Sequence, residues 1–372
     1  MAEAPLPSST PAPEPQPASP AAQAERASLY LVSPAFDCFH FLYMPLIALA
    51  LGALISDTAF AKQPVWVLER PVFLSNLFIG TFIAAHLVLV VVRSHGNREV
   101  FRRHRWRFTL VPLVLFCALY ASLWLSVICV VLAVWWDLYH SSMQTFGLAR
   151  LYERKAGNDV EVGRSLDLWL NLLLYAGPVV AGATLVNHLR FFQRFDVIDS
   201  PRAAFFTAIP ARVQSIHGAL TWAVVGVGVP FLAYYVYRYW RLSQEGHRIS
   251  YPKVFLLVST GLTSIYTWGF NSFGQAFFIM NFFHAWQYFA IVWWVEGGNV
   301  KKALRVGASR LGLALALTLF VALPMAYGAL VTVVPLHKND AAHNALFCFA
   351  MVVTLMHFWY DGFVWSVRKQ HV

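Results

Sequence analysis

The chain has 372 residues, 58% of them hydrophobic and 12% charged, with a formal net charge of +10. Soluble domains carry about 25% charged residues, so this composition excludes a soluble enzyme, a nucleic-acid-binding domain and a disulfide scaffold. It describes an all-α, polytopic transmembrane helical bundle with the lipid bilayer as its main partner and no nucleic acid.

Residues 1–28 are rich in Pro, Ala, Ser and Glu and lack apolar periodicity, so they read as a disordered tail. The tail has no signal-peptide core and is expected to be retained. Residues 29–372 read as one polytopic membrane domain. Ten segments fit a membrane span: 35–56, 71–92, 108–122, 124–148, 166–187, 214–238, 254–270, 274–295, 311–334 and 345–367. The stretch from Phe108 to Ala149 is too long for one span, and Ser122 is suited to cap a new helix within it. Gly269, Asn271 and Gly274 supply breakers between the seventh and eighth segments. With the N-terminus inside, 21 of the 28 lysines and arginines fall in inner segments, so both termini are expected to be cytoplasmic. The 188–213 loop carries four arginines among its phenylalanines and reads as interfacial. Cys38, Cys117, Cys129 and Cys348 lie in or beside apolar runs without a CxxC pair, which suits small core residues. The tail has no organelle-targeting character, which points to a bacterial inner membrane.

Ionisable side chains inside spans are costly and mark function by default. Here they recur: Asp37 and His40 in the first segment; His86 in the second; Asp137, His140 and Gln144 in WDLYHSSMQ; Asn281, His284, Gln287 and Tyr288 in NFFHAWQY; His357 and Asp361 in HFWYD. Residues three and four apart stack along one helix face, so each group forms a stripe. At 1.5 Å per residue, His40, His86, His140, His284 and His357 all fall roughly 7–17 Å below the inner surface. Five helices thus deliver imidazoles to one slab in the cytoplasmic half of the membrane domain. His95 and His104, in RSHGNREVFRRHRWR, read as solvated or phospholipid-facing, with His95 near enough to contribute.

Imidazoles with neighbouring carboxylates suit a transition metal. The candidate ligands are His86, His140, His284, His357, Asp137, Asp361 and His40. Mixed N/O ligation without cysteine favours non-haem iron, as one or two ions, over structural zinc. Gln144, Gln287 and Tyr288 are candidate catalytic groups, able to hydrogen-bond oxygen at the metal.

Carried by His86, His140, His284 and His357 with Asp137 and Asp361, this architecture resembles the integral-membrane non-haem iron oxygenases. That broad group includes lipid desaturases and hydroxylases and the Brp/Blh carotene dioxygenases. The resemblance implies oxidation of an apolar, lipid-like substrate with O2. The chain has no HH pair, so its site residues rest on depth and spacing rather than on a family motif. It also has no Rossmann glycine fingerprint or cysteine cluster, so electrons would come from a separate donor. Two other readings fit the same residues. One is a proton-coupled transporter using buried His and Asp; the other is an electron-transfer protein binding quinone, or haem b between a histidine pair.

Overall fold

The computed structural model describes residues 29–55, 58–59, 61–67, 70–197, 201–306, 309–334 and 341–365; the 1–28 tail lies outside them. About 84% of the described residues are helical. In chain order the elements are α1 (Pro34–Asp37), a π turn (Cys38–Leu42), α2 (Met44–Ile55), β1 (Pro64–Val67), β2 (Arg70–Phe73), α3 (Leu74–Val88), α4 (Val90–Ser94), α5 (Arg98–Ala121), α6 (Leu123–Lys155), α7 (Arg164–Ala181), α8 (Leu185–Leu189), a 3-10 turn (Arg190–Val197), α9 (Pro201–Thr207), α10 (Ile209–Gln244), α11 (Tyr251–Phe270), α12 (Phe273–Ala303), α13 (Arg310–Val333) and α14 (Ala341–Val364).

Each of the ten segments expected from sequence falls mainly on a helix. Among the described residues, five helices are long and apolar enough to cross a membrane, or seven if each bent pair counts as one span. α5, α11 and α12 are not among them. α12 is largely buried and contacts α2, α3, α6, α11 and α13, whereas α11 buries one face and leaves Val254, Val258, Leu262 and Ile265 exposed on the other. A helix enclosed by other helices has no lipid to satisfy, so it can carry hydroxyls, amides and imidazoles at modest cost.

Two chain breaks follow the chemistry of serine. Ser122 is extended and its Oγ accepts from Leu125 N at 3.3 Å, ending α5 and starting α6. Asn271 ends α11, and Ser272 caps α12 by accepting from Gln275 N at 3.4 Å. Gly269 and Gly274, expected as breakers, lie inside the two helices. The antiparallel β1–β2 hairpin was not foreseen; it pairs Trp66 with Pro71, so the second segment becomes helical only at Leu74. α10 extends well beyond the expected 214–238. Cys129 and Cys348 lie in the core, whereas Cys117 is exposed. The arginine-rich loop turns by 91° after α7 and folds back, burying Phe195 against Val127 and Val131 of α6.

Helix ends meet in consistent sets. Arg93 of α4 pairs with Glu296 of α12 and donates to Val364 O of α14. Arg150 and Glu153 of α6, Asp167 of α7, Tyr235 and Tyr239 of α10 and Lys253 of α11 form one buried polar network. At the opposite ends, Thr184 donates to Trp268 O and Thr221 to Ala181 O.

Asp37 anchors the start of the bundle. Its buried carboxylate accepts from Leu31 N at 2.5 Å, Val32 N at 3.0 Å and Tyr152 OH at 2.9 Å, joining α1 to α6. Asp37→Ala leaves these donors without an acceptor and should destabilise the fold by about 2–3 kcal/mol. A lowered thermal midpoint in detergent, with metal content unchanged, is the expected result; Asp37→Asn should lose less.

Candidate metal centre

Four of the five slab histidines meet at the centre of the bundle: His86 from α3, His140 from α6, His284 from α12 and His357 from α14. Their rings close a cycle. Centroids lie 5.1 Å apart for His86–His284, 5.0 Å for His284–His140, 4.6 Å for His140–His357 and 5.1 Å for His357–His86, all edge to face. His86, His284 and His357 are fully buried and His140 is nearly so.

Two ligand sets share His357. In the first, one nitrogen each of His86, His284 and His357 lies within 4.8 Å of the others. In the second, His140, His357 and an oxygen of Asp361 satisfy the same limit. The Nε2 atoms of His140 and His357 are 3.0 Å apart, a hydrogen bond between the two rings and also close to the separation of two neighbouring ligands on one ion with bonds of about 2.1 Å. Asp361 Oδ2 stands 3.7 Å from His140 Nε2 and 3.8 Å from His357 Nε2. Its other oxygen accepts from Tyr288 OH and from Trp365 Nε1, both at 2.9 Å. Trp365 in turn lies under the Arg93 guanidinium at 4.7 Å, so the carboxylate's position is tied to the buried Arg93–Glu296 pair.

Neither nitrogen of His86 or of His284 has a hydrogen-bond partner, and Nδ1 of His357 also lacks one. A buried polar group left unsatisfied costs about 1–3 kcal/mol. Histidines that merely glue helices together would have their nitrogens paired, as His188 shows: its Nδ1 bonds Thr184 O, and Trp268 and Phe273 enclose its ring.

The remaining sequence candidates divide. Tyr288 reaches the centre through Asp361. Gln144 Nε2 donates to His284 O and to Gln287 Oε1, both at 3.1 Å, while its buried Oε1 has no partner. Gln287 donates to Phe41 O at 2.8 Å, so both its polar atoms serve to hold Gln144 and the π turn. Asp137 joins neither ligand set. His40 stands apart: its Nδ1 accepts from Trp286 Nε1 at 2.9 Å and its ring packs on Phe36. Trp286 is two residues from His284, about 200° around α12, so the helix separates His40 from the other four rings. His95 is held by Ser94 Oγ and Phe108 O. The sequence reading missed the roles of Trp365, Arg93 and Glu296; the basic and acidic residues at adjoining helix ends were the available signal. No family model matches the chain, and neither the curated proteins nor the solved structures provide a match.

Proposed function

We propose that the chain is an integral-membrane, metal-dependent oxidoreductase of the non-haem iron oxygenase, hydroxylase or desaturase type, acting on an apolar, lipid-like substrate. The observation that carries this reading is a closed set of four buried imidazoles beside a carboxylate, three of them with unpartnered nitrogens. A cation answers the unsatisfied lone pairs, and two histidines with one carboxylate, as in His140, His357 and Asp361, are the ligand choice of oxygen-activating iron. Rings in mutual contact favour an ion over a macrocycle such as haem b, which needs open space between its axial histidines.

Bound here, iron would supply activation of O2 for oxidation of an apolar chain, with electrons from a separate donor. The protein's part is positional. His140, His357 and Asp361, or His86, His284 and His357, would hold the ion, with the remaining imidazoles beside it. Tyr288 and Trp365 fix the orientation of Asp361. Gln144 presents a free carbonyl oxygen near His140, where it can accept a hydrogen bond from a reactant. The apolar surroundings exclude water from reactive species.

Ten spans with both termini cytoplasmic, in a bacterial inner membrane, remain the topology we favour. The meeting of the ends of α4, α12 and α14, and of α6, α7, α10 and α11, supports it, because those ends belong on one side in that arrangement.

Elemental analysis and an optical spectrum of purified protein test the assignment. Stoichiometric iron without a Soret band, and O2 consumption on addition of an electron donor and lipid extract, are expected. Protein that stays folded but takes up no iron on reconstitution would sink the reading, and a Soret band would hand it to electron transfer.

A further inference from the structure

A cavity of about 310 Å³ lies between α6, α12, α14 and the segment that precedes α7. His140, Tyr288 and Asp361 line one end; Arg150, Glu161 and Arg164 line the other. His140 and Arg150 are ten residues apart on α6, so the two ends are separated by about 15 Å along that helix. Between them the walls include Met143, Gln144, Phe146 and Ile291, and Trp136, Leu151 and Phe358 complete the apolar lining. A long, mostly apolar passage with a few polar groups has the character of a small-molecule site.

Two glycines keep it open. Gly147 of α6 and Gly362 of α14 line the cavity, and a Cβ added at either meets no atom within 4 Å. Close helix packing therefore does not require them, and each weakens its helix by about 1 kcal/mol relative to alanine. What they leave is room.

The charges at the outer end are not equivalent. Arg150 is engaged, with Nη1 on the Asp167 carboxylate and Nη2 on the Val160 and Val162 carbonyls at 2.7 and 2.9 Å. Glu161 is exposed at the rim, where solvent screens it. Arg164 is half-buried, with its guanidinium 5.5 Å from the Phe146 ring centroid, and no carboxylate among the described residues pairs with it. At the inner end, no lysine or arginine stands beside His140, Tyr288 and Asp361 in the lining.

We infer that this cavity binds an acidic amphiphile, with its carboxylate or phosphate head on Arg164 and its apolar tail directed toward His140 and Asp361. That the tail is the reacting part rests on the metal reading above; the pairing of the head with Arg164 does not.

The test uses the full chain in nanodiscs of zwitterionic lipid. The probes are doxyl-labelled stearic acid and its methyl ester, followed by the immobilised fraction in the spin-label spectrum. The acid should bind about tenfold more tightly than the ester. Arg164→Gln should remove that preference, Arg164→Lys should restore most of it, and Arg154→Gln, an exposed control, should change nothing. Gly147→Phe, or Gly362→Leu if the first variant misfolds, should exclude both probes. Competition separates the head groups: stronger displacement by laurate than by dodecyl phosphate assigns a carboxylate, and the reverse assigns a phosphate. Equal binding of acid and ester, or unchanged binding in Arg164→Gln or in the folded glycine variant, overturns the inference. Iron is measured on the same samples. Iron-loaded protein that ignores the head group fails this inference alone, whereas iron-free protein that selects the acid through Arg164 keeps the amphiphile site and fails the metal reading.

Discussion

His284→Ala and His86→Ala should each yield folded protein that retains little or no iron. The imidazoles they remove make no hydrogen bond to the protein, so truncation leaves no donor or acceptor stranded and costs only the packing of one ring. The loss of metal should be large, because altering a group that merely orients a ligand already costs about 10–100-fold in affinity, and here a ligand itself is gone. Asp361→Asn should fall nearer that range if Asp361 flanks the ion, and well beyond it if the carboxylate coordinates. His188→Ala is the informative control. His188 is equally buried but its Nδ1 is bonded to Thr184 O, so its loss should lower the thermal midpoint and leave the iron in place. If the four clustered rings were only packing, His284→Ala and His188→Ala would behave alike, with stability reduced and no metal to lose.

Position along a segment is legible in the sequence, and rotation about the helix axis is not. His86, His140, His284 and His357 lie at similar depths in the segments read from sequence, where 1.5 Å per residue converts position into height, although α6 and α12 run much further past their histidines than α3 and α14 do. His40 has the right height but lies on the far side of α12, against Trp286. Asp137 has the right height and the right helix, one turn from His140, yet joins neither ligand set. Nothing in a single sequence fixes the rotation of one helix against another, since that depends on which residues interlock across the interface. The helix breaks were more accessible: Ser122 ends one helix and starts the next by a local hydrogen bond that its own side chain supplies. The break before α12 was assigned to Gly269, Asn271 and Gly274; Asn271 does end α11, but the glycines lie inside the helices and Ser272 supplies the cap of the next one. The β1–β2 hairpin escaped because Pro71, Val72 and Phe73 are as compatible with the start of an apolar helix as with a strand.

Lys253→Met should be among the most destabilising single changes in the protein, costing about 3–5 kcal/mol, the range for breaking a buried ion pair from one side. Read as a sequence, Lys253 and Arg150 are topology determinants facing the cytoplasm. In the structure they neutralise two fully buried carboxylates. Lys253 Nζ lies 2.7 Å from Glu153 Oε1 and 2.8 Å from Asp167 Oδ1, and all three side chains are at most 2% exposed. Arg150 takes the second oxygen of Asp167, while Tyr235 and Tyr239 donate to the first at 2.8 Å each. The network thus ties α6, α7, α10 and α11 together with Lys253 and Arg150 against two carboxylates, and His247 Nε2 lies 2.9 Å from the second oxygen of Glu153. Methionine matches the length of the lysine stem but leaves one negative charge in excess inside the bundle. That excess, rather than the lost contact, is the source of the expected cost, and the double variant Lys253→Met, Glu153→Gln separates the two. It restores charge balance, so it should recover most of the thermal stability lost in the single variant. If the double variant is as unstable as Lys253→Met alone, geometry and hydrogen bonding would outweigh charge, and the network would be serving packing rather than neutralisation. The same network holds Arg150 to Asp167, which leaves Arg164 as the cation available to a ligand, so Lys253→Met should also weaken selection of the acid probe, because Arg150 and the rim of the cavity are no longer held in register.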